Sequence, residues 1–387
     1  MKMLLVSEIF PPKTGGSGRW FWEIYSRLSR HQYVIAAGED PRQEDFDRTH
    51  NLRLVRVPLA MRTRGIRSIA GLAGYWRGVR NLIPLIKSEQ VTMLHCARCL
   101  PEGLMAFVLK WWCGTTYTCY AHGEELGTAS TSRELTWLTQ RVLRNASFII
   151  ANSNNTKRML VDEWGLQQNF VRVLHPGADT ERFIPGPLSI EARNRLGWAN
   201  RPVVLTVGRL QKRKGHDRMI RAVDQIRRAV PDVLYSIIGD GEERQCLESL
   251  VRETGLGDTV QFLGEVNDRA LIECYQQCDL FVLPNRAVGK DIEGFGMVLL
   301  EAQACGKPVV AGDSGGTAET MLIPDTGRIV PCDEPSKLAV LVTELLTDRD
   351  GLKRMGQAAR SWVVERFDWN SLSRQAEEVF ANNANPC

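Results

Sequence analysis

The feature that most limits the fold of this 387-residue chain is a rhythm. Short, almost wholly apolar runs alternate with amphipathic segments of helical period, and they do so in two sets. KMLLVSEIF, YVIAAG, LRLVRVP, TMLHCA, TYTCYAHG, FIIANS and VRVLHPG make up the first set. VVLTVG, VLYSIIGDG, VQFLG, LFVLP, PVVAG and GRIVP make up the second. Strands apolar along their whole length are buried on both faces, as in parallel sheets covered by helices; strands with one wet face would alternate instead. The chain is also longer than a single hydrophobic core usually serves. The rhythm therefore predicts an α/β protein of two doubly wound, Rossmann-like domains. Helices are expected over 18–30, 66–87, 134–145 and 297–305.

The first domain is expected at 1–180 and the second at 201–367, with a terminal segment at 368–387. Between the domains, the Pro- and Gly-punctuated DTERFIPGPLSIEARNRLGWANRP reads as the seam. At 43% hydrophobic and 24% charged the composition is that of an ordinary globular protein. A net charge of +4 is too small to argue for a nucleic-acid partner. No apolar run is long enough to cross a membrane, and MLLVSEIF is too short for a signal peptide. The ten cysteines are scattered, which points to reduced thiols and a cytoplasmic chain. Cys96 and Cys99 form a C-x-x-C with no second pair or histidine cluster beside it, so no metal or redox role is assigned to them.

In doubly wound sheets ligands bind beyond the carboxyl ends of the strands. Four loops sit there. PPKTGGSGRW follows the first strand, and Gly15, Gly16 and Gly18 suit a close turn feeding a helix N-terminus, a natural anion seat. It is not G-x-G-x-x-G, which argues against a nicotinamide dehydrogenase. GRLQKRKGHD follows VVLTVG and crowds Arg209, Lys212, Arg213 and Lys214 at a strand end, where a diphosphate would be gripped. IIGDGEE places Gly239 and Gly241 after the next strand. The fourth loop runs from Pro284 through NRAVGKDIEGFG into the apolar helix expected at Met297. It puts Glu293 before that helix and Glu301 about one turn inside it. Carboxylates accept several hydrogen bonds at once and suit vicinal sugar hydroxyls, while the amides of Gly294, Phe295, Gly296 and Met297 add donors. Asp348-Arg349-Asp350 spells D-x-D but falls in a polar turn far from any strand end, and reads as a helix boundary.

Together these pieces resemble the retaining GT-B glycosyltransferases of family 4. The resemblance covers nearly the whole chain. It rests on the Gly15–Gly16 loop, His122 in AHGEE, Asn152–Ser153 in IIANS, HPGADTERF, VGRLQKRKG, IGDGEE, the E-x7-E of Glu293 and Glu301, and Gly315–Glu319 in GG-x-x-E. It implies an interdomain cleft, a nucleotide-sugar donor held mostly by the C-terminal domain, no cofactor and no metal. Arg209 and Lys214 would hold the diphosphate, Glu301 the ribose, and Glu293 with the Gly294–Val298 segment the sugar. Gly239, Gly241, Gly264 and Val266 would approach the nucleotide, the last two at the base. His122 would act on the donor sugar from the other domain. Glu293 would orient and stabilise rather than attack, since a same-face, oxocarbenium-like route is the usual proposal for such enzymes. The resemblance also implies that the terminal helix, with its stripe of Trp369, Leu372, Ala376, Val379 and Phe380, crosses back to the first domain. The donor expected first is a UDP-hexose and next GDP-mannose, although no nameable side chain specifies base or epimer. Two alternatives stand beside a transferase: a nucleotide-sugar epimerase of the same architecture and a non-catalytic nucleotide-sugar-binding protein.

The acceptor side has its own signal. No acidic residue lies between Asp47 and Glu89, whereas Arg48, Arg53, Arg56, Arg62, Arg64, Arg67, Arg77, Arg80 and Lys87 all do. Ile66, Ile69, Leu72, Tyr75, Trp76, Val79, Leu82 and Ile83 are interleaved with them. A basic amphipathic helix carrying aromatic residues suits an anionic membrane surface and a lipid-linked acceptor, which would place the protein peripherally on the inner face of the plasma membrane. The plainer reading is a core-facing helix with a solvated arginine face. Trp111 and Trp112 could join that surface or the core.

Overall fold

The structure is a computed structural model and describes residues 2–13 and 15–382. It divides into two compact units, Met1–Pro176 with Trp369–Cys387, and Gly177–Asp368.

In the first unit the strands are β1 (Met3–Ser7), β2 (Tyr33–Gly38), β3 (Leu54–Val57), β4 (Met93–Cys96), β5 (Thr116–Ala121), β6 (Ile149–Ala151) and β7 (Val171–Val173). All pair in parallel, in the order β3-β2-β1-β4-β5-β6-β7. The second unit contains β8 (Val203–Val207), β9 (Leu234–Ile238), β10 (Val260–Gly264), β11 (Leu280–Leu283), β12 (Val309–Gly312) and β13 (Gly327–Val330). Their order is β10-β9-β8-β11-β12-β13, again wholly parallel. Every run read as a strand is one. The reason is burial: β1, β2, β8 and β9 are covered at each residue, so neither face needed polar side chains. In each sheet the chain order reverses once, at β1/β4 and at β8/β11, and the loops after these strands are the ones that can splay apart to form a crevice.

The expected seam is a correction. Residues 181–200 are not a linker but part of the second unit, because they contribute to its core and to its hydrogen bonding. Phe183 and Trp198 are fully buried there. Arg193 donates to the carbonyls of Ala199 at 2.8 Å and Gln277 at 2.5 Å. The chain instead changes unit after Pro176 and again after Asp368. The second unit's ends meet at these crossings: Ala178 pairs with Asp368, and the Ala178 amide donates to the Phe367 carbonyl at 2.9 Å. The terminal helix Trp369–Asn382 groups with the first unit. Phe380 lies edge-on to His95, centroids 4.6 Å apart, and Trp369 is buried. Asp348 accepts from the Gly351 amide at 2.8 Å and caps the Arg349–Arg366 helix, which makes D-x-D a helix boundary. No described helix is long and apolar enough to cross a membrane.

Candidate active site

In the second unit the loops after β8 and β11 meet because those strands are neighbours, although some 75 residues separate them. Glycines make the meeting close. Gly215, at φ +73°, would place a Cβ 1.7 Å from the Pro284 carbonyl oxygen, so no other residue fits. Gly239 has φ +130° and would clash with the Gly208 carbonyl at 2.1 Å. Gly241 would meet the Leu210 carbonyl at 2.6 Å, while Gly264 faces open space.

Into this junction project the expected acid and an expected cation. Lys214 Nζ lies 2.6 Å from Glu293 Oε2, and Arg213 Nη1 lies 2.5 Å from the same oxygen. Arg213 is expected from sequence only as one cation of a basic loop; here it holds Glu293 and, through Nε, pairs with Asp291 at 3.2 Å. Burial pushes the Glu293 carboxyl upward, but the Lys214 and Arg213 charges outweigh it and hold the group below its ordinary value. Glu293 is thus an ionised, engaged carboxylate. Its backbone is fixed too. The Gly316 amide donates to the Glu293 carbonyl at 3.1 Å, and Gly315, at φ +75°, would set a Cβ 1.7 Å from that oxygen. The G-G of G-G-x-x-E therefore exists to let this turn pack on the Glu293 loop.

Arg209 is exposed at the end of β8. Its carbonyl accepts from the Nε2–H of His216 at 3.3 Å, and burial drives His216 down to about 4, so the ring is neutral. The helix Met297–Ala304 opens at Gly296, whose φ is +94°, with no side-chain cap. Phe295 is buried beside the start of this helix, and the Leu299 amide in its first turn donates to the Gly296 carbonyl at 2.9 Å. Val298 and Val266 are half-buried. Glu301 lies 6% exposed on this helix, and Tyr275 Oη–H donates to its Oε2 at 2.8 Å. Sequence reasoning misses Tyr275; its signal would have been a tyrosine in the helix preceding β11, which no spacing ties to Glu301.

In the first unit the loop after β1 departs from expectation. Gly15 is extended, not left-handed, and is needed for space: a Cβ would lie 2.8 Å from Ile9 Cγ2. Gly18 would meet the Ile9 carbonyl at the same distance, and Gly16 begins the Gly16–Tyr25 helix. The loops after β1 and β4 are tied by a charge cluster that sequence reasoning also misses. Arg98 donates to Glu8 at 2.8 Å and to Glu102 at 2.9 Å, while Lys13 pairs with Glu8 at 3.2 Å. His122 follows β5. Its Nε2–H donates to the Ala97 carbonyl at 2.9 Å, its amide donates to Glu125 at 2.8 Å, and its carbonyl accepts from Asn152 at 3.1 Å. In the neutral ring that tautomer leaves Nδ1 as the lone-pair nitrogen. The A-H-G and N-S motifs thus meet through Asn152.

The basic run divides in two. Arg48, Arg53 and Arg56 are spent in ion pairs with Asp45, Glu89 and Asp47. Arg62, Arg64, Arg67, Arg77 and Arg80 are exposed and form no ion pair among the described residues. The helix Ile69–Ser88 buries Tyr75, Val79, Leu82 and Ile86, yet leaves Ile69 87% and Trp76 57% exposed. Trp111 and Trp112, from the Leu104–Cys113 helix, are exposed as well, and Trp76 packs edge-on to Trp112 at 5.3 Å. The tryptophan pair therefore joins the surface, not the core.

Two doubly wound, parallel α/β units, the second with a cation loop and an engaged carboxylate at its switch point, have the GT-B fold of glycosyltransferases. Residues 14–182 match the model of Glycosyltransferase Family 4, and residues 189–362 that of Glycosyl transferases group 1. The chain belongs to this family of glycosyltransferases. It is 32% identical over 381 residues, 96% of each chain, to a GDP-mannose-dependent alpha-(1-6)-phosphatidylinositol monomannoside mannosyltransferase of Mycobacterium tuberculosis. The protein of the same description from Mycolicibacterium smegmatis is 30% identical over 98% of both chains. Among solved structures, Anabaena HepE in complex with UDP superposes with a TM-score of 0.82 at 22% identity, over 99% of this chain and 100% of that one, which shows the shared fold.

Proposed function

We propose that this glycosyltransferase is a retaining, metal-independent mannosyltransferase that uses GDP-mannose and a lipid-linked sugar acceptor. The observation that carries the transfer chemistry is Glu293, shared between Lys214 and Arg213 at the switch point. A nucleotide diphosphate arriving there meets cations already assembled, and Glu293 keeps them from repelling one another until it does. A carboxylate so engaged is a poor nucleophile, which supports an orienting role and departure and attack on one face of the sugar. Arg209 and Lys214 are assigned to the diphosphate, Glu301 to the ribose, Glu293 and the Gly294–Val298 amides to the sugar, and Gly264 and Val266 to the base. His122 is assigned to the transferred sugar, with Nδ1 as its working nitrogen.

Sequence alone favours a UDP-hexose; the full-length relatives that use GDP-mannose reverse the order, leaving a UDP-hexose as the second reading. Those relatives also support a mannosylated phospholipid as acceptor. The exposed Ile69, Trp76, Trp111 and Trp112, flanked by five arginines without ion pairs, support peripheral contact with an anionic membrane. Each arginine near such a surface contributes about 1 kcal/mol.

A donor screen tests the reading. The protein is incubated with labelled GDP-mannose or UDP-glucose and lipid acceptors. GDP-mannose turnover with label in the lipid fraction is the expected result. A 2-epimerised sugar would replace the proposal by the epimerase, and nucleotide binding without turnover by the non-catalytic module. Sedimentation with anionic vesicles at low salt, weakened by salt and by Arg62→Glu with Arg67→Glu, is expected in parallel. Indifference to anionic vesicles would remove the membrane contact.

A further inference from the structure

The second unit has another concave surface, at the opposite ends of its strands. Pro202, Asp279 and Pro308 immediately precede β8, β11 and β12, and all three line a groove of about 1240 Å³. Because every strand runs the same way, this groove is separated from the donor loops by a strand length, about 16 Å for the five residues of β8. Nothing assigned to the donor lies in it.

One wall is the helix Arg349–Arg366. Residues 349, 352, 353, 356, 357 and 360 recur at intervals of three and four and so share one face. The floor is tight: a Cβ on Gly356 would sit 2.2 Å from the Gly306 carbonyl oxygen, so only glycine lets the helix approach there. The facing wall is the 185–190 segment, where Leu188 is 64% and Ile190 46% exposed. That segment is held in place from below. Arg360 donates to the carbonyls of Phe183, Ala304 and Thr180, and Gln277 donates to that of Pro187.

The charges in the groove do not balance. Its one lining carboxylate, Asp279, accepts from the Val203 amide at 2.8 Å and pairs with Arg193 at 3.5 Å. Arg201, like Arg360, is occupied by backbone carbonyls. Lys307, Arg349 and Lys353 line the same groove and form no ion pair among the described residues. Three cations and the exposed Leu188 and Ile190 line one groove, so a ligand carrying both an anionic group and an apolar chain complements both parts of it. An inorganic phosphate would complement the cations but not the apolar residues, and the groove, at about 1240 Å³, exceeds the roughly 300–1,000 Å³ of pockets that bury a compact organic ligand, leaving room for a long chain.

We propose that this groove binds one molecule of an anionic lipid, its phosphate against Lys307, Arg349 and Lys353 and its hydrocarbon along Leu188 and Ile190. The site is separate from the donor site and independent of which donor the enzyme uses.

The test uses dodecyl phosphate, below its micelle concentration, titrated calorimetrically into the whole protein with GDP and UDP present in excess to fill the donor site. Saturable one-to-one binding is expected. It should weaken roughly tenfold or more in Arg349→Glu with Lys353→Glu, both exposed positions whose replacement leaves the fold intact. It should weaken also in Leu188→Asp with Ile190→Asp, and inorganic pyrophosphate should bind far less tightly than the alkyl phosphate. Absence of saturable binding overturns the proposal, as does unchanged affinity in the Arg349 and Lys353 variant. Equal affinity for pyrophosphate would mean a plain anion site and overturns the lipid. Loss of binding in Arg62→Glu with Arg67→Glu alone would move the ligand to the first unit and overturn the site.

Discussion

The two units are built alike and use their switch points differently. Each is a parallel sheet whose chain order reverses once, with two loops meeting at the reversal. In the first unit the charges there close on themselves: Lys13 and Arg98 face Glu8 and Glu102, two against two. In the second unit the loop after β8 brings Arg209, Lys212, Arg213 and Lys214; Arg213 pairs with Asp291 and Glu293, and Lys214 shares Glu293 with it. The first cluster ties the loops after β1 and β4 together, and the second is the one to which the proposed function assigns the donor diphosphate. The same topology brings two loops together in both cases, and the residue types on those loops differ: two cations against two carboxylates in the first, a run of cations in the second.

The largest effect should come from undoing the fastening. Arg98→Ala leaves the buried Glu102 without its partner, while half-buried Glu8 keeps Lys13, and should destabilise the first unit by about 3 kcal/mol, read by thermal or urea unfolding. Nucleoside diphosphate affinity should stay as it was. A variant that melts normally but loses nucleotide would invert the comparison. Next in size, Lys214→Ala removes a charge-assisted contact of about 1.5–3 kcal/mol and should cut transfer tens- to hundreds-fold while the melting curve barely moves. Full activity would take the diphosphate away from this loop.

Glu293→Gln sharpens the contrast from the other side. It releases Lys214 from its counter-charge and leaves Arg213 only Asp291, so nucleoside diphosphate should bind at least as tightly as to the wild type, while transfer falls on the order of a hundredfold. Weaker nucleotide binding would show that Glu293 assembles the ligand site instead of balancing it. A smaller loss, about tenfold in nucleotide affinity, is expected for Tyr275→Phe, which deprives Glu301 of a hydrogen bond to a charged group. An unaltered affinity would leave Tyr275 a core residue only.

A further difference is expected in acid. Burial lowers His216 to about 4 in the second unit and His95 to about 3 in the first. Unfolded histidines take up protons near 6.5. Between that value and the folded one the unfolded state binds more protons, so stability falls as the pH falls. The His216 contribution is fully present above about 6.5 and levels off below about 4, whereas that of His95 continues to decline to about 3. Melting temperatures measured from pH 7 to 3.5 should drop less steeply in His216→Gln than in the wild type. Identical slopes would sink the assignment.

Much of the architecture is legible in the order of residues. Parallel strands buried on both faces leave continuous apolar runs, and a glycine after a strand marks a ligand loop, so strand positions and the four loops can be read locally. Glu293 and Glu301 are legible for the same reason, one in a loop and one in the helix after it. The limit is sequence distance. Arg213 and Glu293 are 80 residues apart, and Arg98 and Glu8 are 90 apart; only the neighbourhood of β8 with β11, and of β1 with β4, joins them. Residues 181–200 look like a linker because proline and glycine mark breaks in local structure, and Trp198 cannot announce that a core awaits it. Likewise the apolar residues of the Ile69–Ser88 helix carry one signature whether they face the core, as Leu82 does, or water, as Trp76 does. Sequence by itself determined the two parallel sheets and the chemistry of their loops, because those follow from local burial and residue type. Tertiary structure alone decided which charges neutralise each other, because Coulomb attraction depends on separation in space and not along the chain.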